Sequence, residues 1–61
     1  MPEVYVHIVE GRTVEQKRGL VRDITKAMVE HLHVDPANVM IQIMESSREN
    51  KAKGGVLFSE R

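Results

Sequence analysis

The sequence predicts a small α/β domain, one βαβ unit followed by a C-terminal hairpin or short edge strand. Three observations carry this. Residues 3–9 and 39–45 alternate between apolar and polar side chains at the two-residue period of a strand. The stretch between them repeats apolar residues at steps of three and four, the period of a helix. Two strands joined by a helix of about twenty residues form a right-handed crossover with parallel strands. The 61 residues contain no internal repeat and no low-complexity segment, so one domain spanning 1–61 is expected.

In the first strand Val4, Val6 and Ile8 share one face, while Glu3, Tyr5, His7 and Val9 share the other. Glu10-Gly11-Arg12 is a natural break, because Gly11 tolerates backbone angles that other residues resist. Thr13-Val14-Glu15-Gln16 fits a capping box, with Thr13 as N-cap and Gln16 at the third helical position. From there Leu20, Ile24, Ala27, Met28 and Leu32 recur at helical spacing with Val21 alongside, predicting an amphipathic helix over about 14–32. Gly19 lies inside it at a cost of about 1 kcal/mol relative to Ala, and its missing side chain would permit a close contact. Asp35-Pro36 ends the segment, since proline biases the preceding residue away from helix. Val39, Ile41 and Ile43 then alternate with Met40, Gln42 and Met44. Residues 46–53 read as a polar loop. Gly54-Gly55 with Val56-Leu57-Phe58 read as the small hairpin or edge strand.

Composition narrows the function. Nine basic and nine acidic residues balance and are interleaved, and there are one Tyr, one Phe and no Trp, so neither a basic face nor a stacking platform for nucleic acid exists. No apolar run approaches a membrane span and no signal-like segment opens the chain, so a soluble protein unprocessed apart from Met1 is expected. The absence of cysteine rules out a disulfide framework and suits a reducing cytoplasm. His31 and His33 do not share a helix face and His7 lies in a distant strand, so no metal site is expected. Two strands and one helix are too few to be stable alone in so short a chain. The face carrying Tyr5, Val9, Met40 and Met44 has no second helix to cover it, so further copies of the chain are expected to bury it, as a homo-oligomer.

Pro2 and Arg12 form the one pairing with plausible chemistry. Removal of Met1 would leave Pro2 as a secondary amine at the start of a strand. Such an amine titrates near ~8 in water and lower when desolvated or close to a cation, which makes it a base at neutral pH. The Arg12 guanidinium offers a fork for a carboxylate. An extended strand of ten residues spans about 30 Å, so one small substrate could meet both groups only where two copies of the chain adjoin.

Met1-Pro2, the run Glu10-Gly11-Arg12-Thr13 followed by Glu15-Gln16-Lys17, the βαβ order, Glu45 just after the second strand and the paired Gly54-Gly55 together resemble the 4-oxalocrotonate tautomerase family over essentially the whole chain. The resemblance implies a keto–enol tautomerase, an isomerase acting on 2-hydroxymuconate or a similar small unsaturated acid in aromatic hydrocarbon catabolism. It implies Pro2 as general base and acid, Arg12 as the residue gripping a substrate carboxylate from a neighbouring subunit, and no metal or organic cofactor. It also implies a hexamer built as a trimer of dimers, each dimer carrying a four-stranded sheet. Two positions depart from the family pattern. Met40 stands where the best-studied members place a second substrate-binding arginine, and Lys51 stands where they place an aromatic pocket wall. These departures keep two alternatives open, a superfamily relative with dehalogenase or decarboxylase activity and a non-catalytic self-assembling oligomer.

Overall fold

A computed structural model describes residues 1–61. Strand β1 (Glu3–Val9) leads through Gly11, at φ 122°, into helix α1 (Val14–Leu32), and strand β2 (Met40–Ser46) returns beside β1. β1 and β2 are parallel and in register from Glu3 opposite Met40 to Val9 opposite Ser46. The predicted βαβ unit is thus present, with the helix limits as expected.

The capping box forms as the sequence predicts. The Gln16 N–H donates to Thr13 Oγ1 at 3.1 Å and the Thr13 N–H donates to Gln16 Oε1 at 2.9 Å, which satisfies two of the four free N–H groups of the first turn. At the far end His33 takes a left-handed conformation, φ 56°, and its N–H donates to the Val29 carbonyl. Asp35 caps a short 3-10 turn, Pro36–Asn38, which delivers the chain to β2.

The covered stripe of the helix overlaps the expected one at Val21, Ile24 and Met28 but is rotated from it. Lys17, Val21, Ile24, Thr25, Met28 and Val29 are half-buried, whereas Leu20, Ala27 and Leu32 are exposed. At about 100° per residue, Lys17, Val21 and Met28 fall within about 40° of one another, while Leu20 and Ala27 lie about 100° and about 120° from Val21. Leu32 is the last helical residue. Lys17 is admitted to the inner stripe because Glu45 faces it. The register puts Glu45 beside Ile8, on the same face as Val4, Val6, Ile41 and Ile43, and the Lys17 ammonium donates to its carboxylate at 2.5 Å. Glu45 therefore lies within β2 rather than after it. Within the chain no element uses the space at Gly19, where a side chain would meet only the Arg22 guanidinium at 3.6 Å.

The tail is more ordered than a polar loop. Ser47 caps a second 3-10 turn, Arg48–Asn50, and β3 (Ala52–Lys53) pairs antiparallel with β4 (Val56–Leu57). Gly54 and Gly55 join them at φ 62° and 82°, the two positive angles that a tight I′-type hairpin turn requires. The hairpin alternative is the one the chain adopts.

No residue of the subunit is fully buried. Its accessible surface is 4823 Å², whereas a compact monomer of this mass exposes about 4,000 Å². Its radius of gyration is 14.7 Å, against about 10.5 Å for a compact chain of this length. The shape explains both values, at 43 × 22 × 14 Å. Parallel sheets are ordinarily covered on both faces. Here the helix covers one, and the other leaves Glu3, Tyr5, His7, Met40 and Gln42 exposed. No helix is long and apolar enough to cross a membrane.

Candidate active site

The first backbone bond of the parallel ladder fixes Pro2. The Met40 N–H donates to the Pro2 carbonyl at 3.0 Å, so the proline begins the sheet with Met40 as its lateral neighbour. A proline has no N–H to give to a ladder, so its nitrogen costs the sheet no bond at this position. Met1 beyond it is 84% exposed. Glu3, opposite Met40, accepts from the Tyr5 hydroxyl at 3.2 Å, and the nearby carboxylate pushes the Tyr5 phenol above its ordinary pKa.

Arg12 lies past the other end of β1. There the Glu10 N–H donates to the Ser46 carbonyl at 2.9 Å, closing the sheet, and the Glu10 carboxylate accepts from the Arg48 N–H at 3.4 Å. Glu10 thus ties the start of the tail to the loop that carries Arg12. Arg12 lines a cavity of about 170 Å³ with Ile8, Gln16, Lys17 and Leu20. Lys51 sits at the base of the hairpin, half-buried, its carbonyl accepting from the Phe58 N–H at 2.8 Å.

The four residues singled out from the sequence therefore do not converge in one subunit. Pro2 and Met40 share one end of the sheet, and Arg12 lies past the other end. Lys51 follows the strand end nearest Arg12 but does not line the Arg12 cavity. Pro2 lines neither concavity of the subunit. The Arg12 cavity is also smaller than the ~300–1,000 Å³ of usual ligand pockets. No three His, Asp or Glu side chains converge as a metal-ligand set.

Two contributors went unnoticed in the sequence. The Lys17–Glu45 pair joins residues 28 positions apart, and the Glu10–Arg48 contact joins residues 38 apart. Both depend on the strand register, and no local spacing signals them.

A family model described as tautomerase enzyme matches residues 2–61. The chain belongs to the tautomerase family. Its similarity to a probable tautomerase of Bradyrhizobium diazoefficiens is 54% identity, covering all of this chain and 91% of that one. A 2-hydroxymuconate tautomerase of Comamonas testosteroni is 35% identical over 98% of this chain and 95% of its own length. Among solved structures, a 4-oxalocrotonate tautomerase homologue superposes with a TM-score of 0.96 at 38% identity, covering 100% of this chain and 97% of that one. A heterohexameric 4-oxalocrotonate tautomerase from Chloroflexus aurantiacus superposes at 0.89 with 30% identity, over 98% and 97% of the two chains. The tautomerase fold thus extends over the whole chain, hairpin included.

Proposed function

We propose that this tautomerase moves a proton between the enol and keto forms of a small unsaturated 2-hydroxy or 2-oxo acid, such as 2-hydroxymuconate, with Pro2 as general base and acid once Met1 is removed. The observation that carries this reading is the position of Pro2. Its carbonyl is anchored by the Met40 N–H while its nitrogen stands free of the ladder, behind a largely exposed Met1. The free amine takes the proton of the 2-hydroxyl, and the oxygen's electron pair forms the carbonyl as the conjugated double bonds shift. The prolinium then returns the proton to a carbon further along the chain. Arg12 of a neighbouring copy holds the substrate carboxylate, since no single chain brings both groups together. Positive charge near the amine also favours its neutral, basic form. The mechanism uses no metal or organic cofactor.

The assembly that completes the site is, in this reading, a homohexamer of three dimers located in the cytoplasm. The excess surface supports association, because about 800 Å² is what a standard interface removes from each partner. The heterohexameric relative supports a six-subunit assembly.

Intact mass spectrometry tests the amine directly and should show loss of Met1. The protein should convert a 2-hydroxydienoate to its keto form, and Pro2→Ala should lower kcat/KM by about 10²–10⁴. The ascending limb of the wild-type pH–rate profile should lie below the ~8 of an unperturbed α-amine. Undiminished activity in Pro2→Ala would remove the proline from the mechanism. Turnover of 3-haloacrylates or malonate semialdehyde in place of enol acids would move the chain to the dehalogenase or decarboxylase alternative.

A further inference from the structure

We propose that the Lys17–Glu45 ion pair sets the affinity of the Arg12 cavity for anions. Lys17 masks a carboxylate that would otherwise repel them, and Glu45 withholds an ammonium that would otherwise attract them. This rests on the reading of Arg12 as carboxylate holder above and adds two positioning residues to it.

Arg12 lies just before α1, and Gln16 and Lys17 follow near the start of the helix. All three line the cavity of about 170 Å³, with Ile8 and Leu20. Its two cations differ in their commitments. The Lys17 ammonium reaches from the helix to β2 and donates to the Glu45 carboxylate at 2.5 Å. The Arg12 guanidinium makes no hydrogen bond or ion pair within its own chain. Arg48, Lys51 and Lys53 stand on the tail and line no part of this cavity, so their charge is a constant background when the pair is altered.

Glu45 is the one carboxylate bound to a side chain of the lining. The acids Glu3 and Asp35 belong to the Pro2 end, and Glu10 accepts from the Arg48 N–H. A bridge that only fastened helix to sheet could stand at any inward turn of α1. This one forms part of the wall that carries Arg12. Opposite charges this close cancel most of each other's field at the cavity. Without the ammonium, an unmasked carboxylate faces any anion held by Arg12. Without the carboxylate, the ammonium is released to act beside Arg12. The two side chains are 27% and 35% exposed, so solvent screens both effects. Each is then about threefold to tenfold in anion affinity, in opposite directions.

The test uses sorbate, a dienoate with one carboxylate. Titration calorimetry on the assembled protein, with Met1 verified absent, reads its Kd at low ionic strength. Glu45→Gln should tighten binding by about threefold to tenfold, and Lys17→Met should weaken it by a similar factor. The double variant should return close to the wild-type Kd, and all shifts should shrink as salt is added. A purely structural bridge would lower Tm in all three variants and would weaken or leave unchanged the binding in both single ones. That pattern, or a double variant that fails to recover, overturns the proposal. The wild type offers a check that needs no variant. Sorbate should move the ε-methylene NMR signals of Lys17 more than those of Lys26, which lines a separate groove, and unmoved Lys17 signals overturn the proposal. Arg12→Ala tells the two possible failures apart. If sorbate binding depends on Arg12 but not on the pair, the proposal falls and the reading of Arg12 stands. Sorbate bound as tightly without Arg12, or not bound by the wild type, overturns that reading as well.

Discussion

At the Pro2 end of the sheet the subunit offers a backbone-anchored proline, a thioether and two acids. At the other end it offers a free guanidinium, an ion pair and a helix N-terminus closed by its capping box. In the proposed mechanism the first end supplies the base and the second holds the substrate's anion. The seven residues of β1 keep the two ends apart by roughly 20 Å or more. Under that proposal association has a chemical role, because a second copy both covers the open sheet face and completes the site.

The sharpest way to break this comparison is to disable one end in each of two proteins. Pro2→Ala and Arg12→Ala should each be severely impaired, the second by about 10-fold or more in kcat/KM through loss of a charge-assisted contact. After the two are unfolded together and refolded, some sites should pair an intact Pro2 with an intact Arg12. The mixture should then show activity above the sum of the two alone. No recovery in a mixed assembly verified by mass spectrometry would mean that both groups serve one subunit.

A smaller effect sharpens the arginine end. Thr13→Ala removes the acceptor for the Gln16 N–H directly after Arg12 and should lower stability by about 1 kcal/mol. Thermal unfolding of the assembled protein would register this as a reduced Tm. An unchanged Tm would show that assembly, not the cap, fixes the start of α1.

The smallest effect probes the proline end. Glu3 holds the Tyr5 phenol above its ordinary pKa first through its charge and then through the hydrogen bond, so Glu3→Gln should move the Tyr5 titration downward. Absorbance near the tyrosinate band reads this directly, as Tyr5 is the only tyrosine. The sign for stability follows. A phenol with a raised folded-state pKa contributes stability below its unfolded pKa, and that contribution is lost as pH rises through the higher folded value. An upward or absent shift would mean that groups other than Glu3 control this end.

Much of the fold was legible because it is locally encoded. Two-residue alternation marked β1, and the Thr13–Gln16 spacing with Asp35-Pro36 bounded α1 to the residue. The paired glycines marked the hairpin. The inner stripe of α1 was misread because apolar periodicity weighed Leu20 and Ala27 equally with Val21 and Met28. Only the sheet's position shows that Lys17, carried inward by Glu45, belongs to that stripe. The family, too, was readable from Met1-Pro2 and the Glu-Gly-Arg-Thr run.

By itself, then, the sequence determined which segments become strand, helix and turn, and it nominated the side chains that the proposal uses as base and anion holder. These depend on residues within a few positions of one another, where backbone sterics and capping bonds decide. The tertiary structure alone decided that Met40 stands beside Pro2 and that Glu45 commits Lys17. Both facts follow from the β1–β2 register, which sets Glu3 opposite Met40 and Ile8 opposite Glu45, residues 37 positions apart. A register shift of one residue would exchange the two faces of β2 and undo both.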